Sequence, residues 1–223
     1  MKPVCVLLLS AFCVGCADIR DTAEDISTVT LGDDFIQPVE IDQSVALTDQ
    51  PLVACIPIQI DLQENASVSL QPSSAGCALT LRQPELVLFN KKQIDDARAQ
   101  VGAFDIDGIR AASVELMQIK LRSGDGQALP LDHYADAVTL EVDGAVLLDK
   151  IAPDTLQTAP VKRELPSALL AKLKSSIKNG QPAQAEIVLT LWLRGVVIQD
   201  VPTSLDITLV LQPELKVSLL KAL

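Results

Sequence analysis

The sequence predicts a mainly β protein, an antiparallel β-sandwich that is immunoglobulin-like in the loose sense. Three observations predict it. Apolar and polar residues alternate over short runs separated by turn signals, the period of two that gives a strand one buried face. Only two stretches carry helical spacing, residues 91–103 and 166–178, whereas a parallel α/β fold needs a helix between most strands. Hydrophobic residues make up 48% of the chain and aromatics 3%, with a mean hydropathy of +0.31, so the core is aliphatic. A chain of 223 residues is long enough for a real core, and residues 35–223 are expected to form a single domain.

Lys2 supplies a short positive region, and residues 4–14 form an apolar block too short to cross a bilayer comfortably as a helix. Residues 1–15 therefore have the pattern of an export signal peptide. The block ends in Cys13-Val14-Gly15-Cys16, which resembles the lipobox of bacterial lipoproteins, where a small residue precedes an invariant cysteine that receives a diacylglycerol before cleavage. The resemblance covers the first 16 residues and rests on Gly15 and Cys16; Cys13 stands where the family usually has Leu. It implies that Cys16 is lipidated and anchors the chain to a membrane. Ala17 rather than Asp follows the cysteine, which by the same resemblance implies the outer membrane of a bacterial envelope. Gly15-Cys16-Ala17 also has the small-x-small form of ordinary secretory cleavage, the alternative reading. Residues 16–34 read as an acidic tether: Asp18, Asp21, Glu24, Asp25, Asp33 and Asp34 stand against Arg20 alone, with few large apolar residues before Phe35. Within it, residues 26–31 have the makings of a first short strand.

Cys5 and Cys13 leave with the signal and Cys16 is taken by lipid, so Cys55 and Cys77 remain. An even remainder in an exported chain suggests a disulfide between them, two buried free thiols being the alternative. One His and two distant cysteines do not make a zinc site.

Residues 52–62 mix apolar positions with Pro57, which places that strand on an edge or beside a bulge. Residues 68–70 are a second strand, and 77–81 and 85–89 two more, split by Pro84. A Cys55–Cys77 bond would tie the first of these to the third. Helix formers with Ile94, Ala97 and Val101 on one side predict the short helix over 91–103. Val114 and Leu116 occupy one parity while Met117, Ile119 and Leu121 occupy the other, the trace of a β-bulge. Ser123-Gly124-Asp125-Gly126 ends that strand. Val138, Leu140 and Val142 alternate before Asp143-Gly144, a hairpin turn leading to residues 146–148. Leu165, Leu169, Leu173 and Ile177, with Leu170, form the stripe of an amphipathic helix over 166–178, with Pro166 in its first turn and Asn179-Gly180 then Pro182 as its stop. Lys172, Lys174 and Lys178 read as the solvated cationic end of that helix. The alternating runs 185–193 and 205–211 predict a terminal antiparallel hairpin joined through Asp200-Val201-Pro202. From about Asn90 onward this order of elements resembles a group of uncharacterised envelope lipoproteins, a likeness of pattern that brings no activity.

The acidic balance, 29 Asp and Glu against 18 Lys and Arg, repels phosphate backbones, so nucleic acid is not an expected partner. His133, the lone histidine, reads as a surface residue, and no Gly-x-Ser-x-Gly, His-Glu-x-x-His or Walker sequence is present. Asp105-Ile106-Asp107-Gly108 lacks the flanking carboxylates of a calcium loop and reads as a turn; Ser123, Asp125 and Asp143 would bind calcium only if the fold gathered them. Dispersed carboxylates for glycoside hydrolysis are weighed against by the single Trp192 and single Tyr134, with Trp192 expected in core packing. Asn65-Ala66-Ser67 is an incidental sequon. The expectation is a lipid-anchored, non-catalytic envelope protein with a binding or structural role, no cofactor, no metal, and another envelope protein as its candidate partner. The alternative is a carrier whose aliphatic excess lines a cavity for a lipid or other hydrophobic ligand.

Overall fold

A computed structural model describes residues 28–46, 55–73, 76–101, 105–158, 161–194 and 204–219. The expected signal peptide 1–15, Cys16, the expected tether up to residue 27 and the 200–202 connection lie outside the described residues. Two antiparallel sheets of six strands form a sandwich, as the alternation predicts.

In the first sheet, β6 (Ile109–Ser123) and β12 (Ser204–Ser218) are the long central pair. The free edge of β12 is covered by β1 (Thr28–Leu31) at residues 215–218 and by β2 (Val39–Ala46) at residues 204–211. The free edge of β6 carries β10 (Val161–Glu164) and the two-residue β7 (Ala128–Leu129). The second sheet runs β3 (Ile58–Asp61), β4 (Ser67–Ser73), β5 (Gly76–Phe89), β11 (Ala183–Leu193), β8 (Ala135–Val142) and β9 (Ala145–Ile151). The strand after Pro57 is an edge strand, as expected of a segment containing proline.

Inner-face residues from both sheets meet in one aliphatic cluster. Val138, Leu189 and Leu191 of one sheet and Leu205, Ile207 and Leu209 of the other are among its members, all almost wholly buried. Among the described residues four α-helices decorate the sandwich: α1 (Lys91–Val101), α2 (Leu131–Tyr134), α3 (Pro153–Thr158) and α4 (Ser167–Lys178). A reciprocal capping box starts α1: the Gln93 amide donates to Asn90 Oδ1 and the Asn90 amide to Gln93 Oε1, each at 2.9 Å. The helix ends at Val101 within the described residues, and 102–104 lie outside them. The α4 stripe buries Leu169, Leu173 and Ile177 as predicted, with Pro166 just ahead of the first turn instead of in it. Its end is a Schellman pair, the Gly180 amide on the Ile177 carbonyl and the Gln181 amide on that of Ser176.

The expected bulge is present. Val210 pairs with Gln118 and Leu211 with Leu116, so Met117 is the inserted residue. Asp143 and Gly144 both have positive φ, 48° and 76°, giving the type I′ turn that the Asp-Gly dipeptide favours.

Four expectations require correction. The last two long strands are not a hairpin: β11 pairs with β5 and β8 in one sheet and β12 with β1, β2 and β6 in the other. Each needs its apolar face covered, and facing strands from opposite sheets cover one another as well as neighbours in a hairpin would. Pro84 does not split two strands; β5 is continuous through it, with Glu85 at φ 55° and a register shift against β11 absorbing the missing amide. The folded body begins before Phe35: the short strand expected within 26–31 is present as Thr28–Leu31, paired with β12 and with Leu31 fully buried, so the boundary of the tether at residue 34 lies too late. Trp192 is not in the core: it shares the outward parity of Val188 and Thr190 and is half-buried on the outer face, its indole donating to Thr139 Oγ1 at 3.0 Å under the Lys150 ammonium, 4.6 Å from the ring centroid.

The α4 stripe yields a graded expectation. Leu173→Ala should cost about 2–5 kcal/mol and half-buried Leu170→Ala clearly less, read from urea unfolding midpoints at unchanged slope.

Candidate functional site

Of the residues singled out in the sequence, Cys55 and Cys77 are joined by a disulfide, with a Cα–Cα separation of 5.6 Å. Cys55 precedes β3 and Cys77 lies in β5, so the bond ties the first strand to the third across β4. His133 is exposed on α2. The three lysines of α4 are fastened to the sandwich: Lys172 pairs with Asp143, Lys178 with Asp107 at 2.6 Å, and Lys174 donates to the Ile109 carbonyl at 3.0 Å. Asp107 thereby raises the Lys178 ammonium above its ordinary pKa. Asp125 accepts from the Ser123 hydroxyl and the Gln127 amide, which hold its carboxyl below the usual carboxylate range. Asp143, in the β8–β9 turn of the other sheet, is engaged by Lys172 and by the Glu186 amide at 2.7 Å. Ser123, Asp125 and Asp143 therefore serve their own turns.

The structure brings together a site that these residues did not mark. One edge of β6 faces β12 throughout. On the other edge, β10 covers residues 113–116 and β7 covers Leu121 and Arg122. Residues 117–120, Met117-Gln118-Ile119-Lys120, have no strand partner there among the described residues. A groove of about 440 Å³ lies along this gap.

Local chemistry explains why the edge stays open. The bulge turns Met117 outward, 43% exposed, and shifts the parity so that Leu121 returns to the core at 3%. The loop after β6 folds back tightly: the Ser123 amide donates to the Gln127 carbonyl at 2.9 Å, and Gly124 lies so near Ser204 that a Cβ there would sit 1.6 Å from its hydroxyl. The returning strand β7 reaches only Leu129 because Pro130 has no amide to donate, and the chain turns into α2, burying Leu131. Leu129 and Leu156 of α3 form half-buried apolar walls.

The electrostatics of the groove run against those of the whole. The chain carries a net charge of −11, yet the charged residues lining the groove are Lys120 and Arg122, neither ion-paired with a described residue. Asp206 stands opposite Arg122 across the sheet without closing a salt bridge. The lining offers backbone donors and acceptors, aliphatic surface and two cations, and among the described residues that form it there is no His, Cys, Ser, Asp or Glu. Such a set suits the binding of an extended, partly apolar chain. Two further grooves are less suited: one, about 400 Å³, is bordered by the already paired Asp143, Lys172 and Glu186, and the other, about 550 Å³, is acidic with Asp42, Asp61 and Glu64.

The fold and this groove define a β-sandwich domain with a partly open sheet edge. No family model matches the chain, and no curated protein matches it in sequence. Among solved structures it is similar at 10% identity to the exo-beta-1,3-galactanase from Phanerochaete chrysosporium in complex with galactose. That similarity covers 85% of this chain but 29% of the galactanase, with a TM-score of 0.13, and carries no argument about fold or activity.

The rim and floor of the groove should respond differently to charge. Met117→Asp should change the unfolding free energy by about 0.5 kcal/mol or less, whereas Leu121→Asp should cost about 3 kcal/mol or more, compared by chemical denaturation. Replacing both Cys55 and Cys77 by Ser removes a cross-link spanning 22 residues and should lower stability by about 3 kcal/mol, with the wild type falling to the same value in reductant.

Proposed function

We propose that the protein is a lipid-anchored, non-catalytic component of a bacterial outer membrane, tethered through Cys16, whose β-sandwich contacts another component of the envelope. The observation that carries the binding role is the unpaired stretch of β6 beside an apolar groove, because an unsatisfied sheet edge is a template for another chain. The anchoring part rests on Gly15-Cys16 after the apolar block. The disulfide accords with an exported, oxidising location. Close packing of the aliphatic inner faces accounts for the hydrophobic excess without a ligand, which favours this reading over that of a lipid carrier.

Cells producing the chain should incorporate labelled palmitate into it, and globomycin should cause the unprocessed form to accumulate. Cys16→Ser should abolish both effects. A mature chain that begins elsewhere and carries no fatty acid would overturn the anchoring.

A further inference from the structure

We infer that the β6 gap takes in an extended segment of a partner protein as an added strand, and that this segment alternates aliphatic side chains with carboxylates that face Lys120 and Arg122. The inference rests on the binding role proposed above and names the chemistry of the partner.

Three features lead to it. The four residues 117–120 span about 13 Å, and in a strand every second residue aims its N–H and C=O at the same edge, so the gap presents hydrogen-bonding groups without a ladder. Both flanking strands, β10 and β7, pair antiparallel with that same edge, so a segment entering between them continues an existing row. Side chains of an added strand alternate, and one parity meets Met117, Leu129 and Leu156.

Charge selects the other parity. On a strongly acidic chain, an edge whose lining charges are Lys120 and Arg122 attracts a carboxylate and repels an ammonium. The exposed apolar residues on the other open edges lack this pair of cations: Val146 lies on β9, an edge that also carries the charged Asp149 and Lys150, and Val87 lies on the part of β5 beyond β4, two residues from Glu85.

The test uses the full chain in mild detergent and fluorescence anisotropy of labelled peptides of about nine residues, of which about four can pair in the gap while the ends turn away from the flanking strands. One peptide alternates valine with aspartate, a second has lysine for aspartate, and a third is the acidic peptide with a central proline. The acidic peptide should bind, with the other two about tenfold weaker or worse, a difference of about 1.4 kcal/mol. The double substitution Lys120→Glu and Arg122→Glu should reverse the preference between the acidic and basic peptides, and Met117→Asp, at an exposed position, should weaken binding of the acidic one. Equal binding of all three peptides, no binding, or an unchanged preference in the charge-reversed chain would overturn the inference.

A photoreactive residue in place of Met117, and separately of Val146, separates this inference from the broader reading in cells. Crosslinks from position 117 that an excess of acidic peptide suppresses support it. Crosslinks from 146 but not 117 overturn it while leaving a binding role elsewhere on the sandwich, and no crosslinks from either count against both.

Discussion

The pairing of β12 with β6 is the constraint on which the rest depends. These two fifteen-residue strands run together for most of their length, and every other strand of the first sheet hydrogen-bonds to one of them. Their register decides which side chains enter the shared core. Ile207, Leu209 and Leu211 point inward from β12, and the bulge at Met117 is what lets β6 bury Val114 and Leu116 on one side of it and Leu121 on the other. Removing that inserted residue would turn one half of β6 inside out.

The same pairing uses up one edge of each strand and leaves the other to shorter partners. On β12 the partners are β1 and β2, which together cover both ends; on β6 they are β7 and β10, which do not meet. The open stretch is thus a consequence of how little ladder two short segments can build, one of them cut off by a proline. A twisted sheet edge with a bulge is poorly suited to indiscriminate association.

Much of this architecture is legible in the chain because period-two alternation is strong in long strands. The bulge could be read from the parity change between Leu116 and Met117, the I′ turn from Asp143-Gly144, and α4 from its four-residue stripe. Alternation names the buried face of a strand but not its neighbours, which is why β11 and β12 look like a hairpin in sequence while lying in opposite sheets. It also treats Trp192 by size, whereas position within β11 puts it outside. The groove was not legible: the sequence shows Met117 only as part of the parity change, a two-residue strand such as β7 has no periodicity to detect, and the gap exists only once β7 and β10 are placed on the same edge.

The register of β1 has a bearing on orientation. Thr28 lies opposite Ser218, whereas the open stretch of β6 lies alongside Thr208 and Val210, roughly 30 Å farther along the central strand at the usual rise per residue. The first described strand therefore starts at one end of the sheet and the groove sits toward the other. Under the anchoring proposed for Cys16, a body held by that end would keep the open edge of β6 away from the lipid surface, facing the aqueous space to one side.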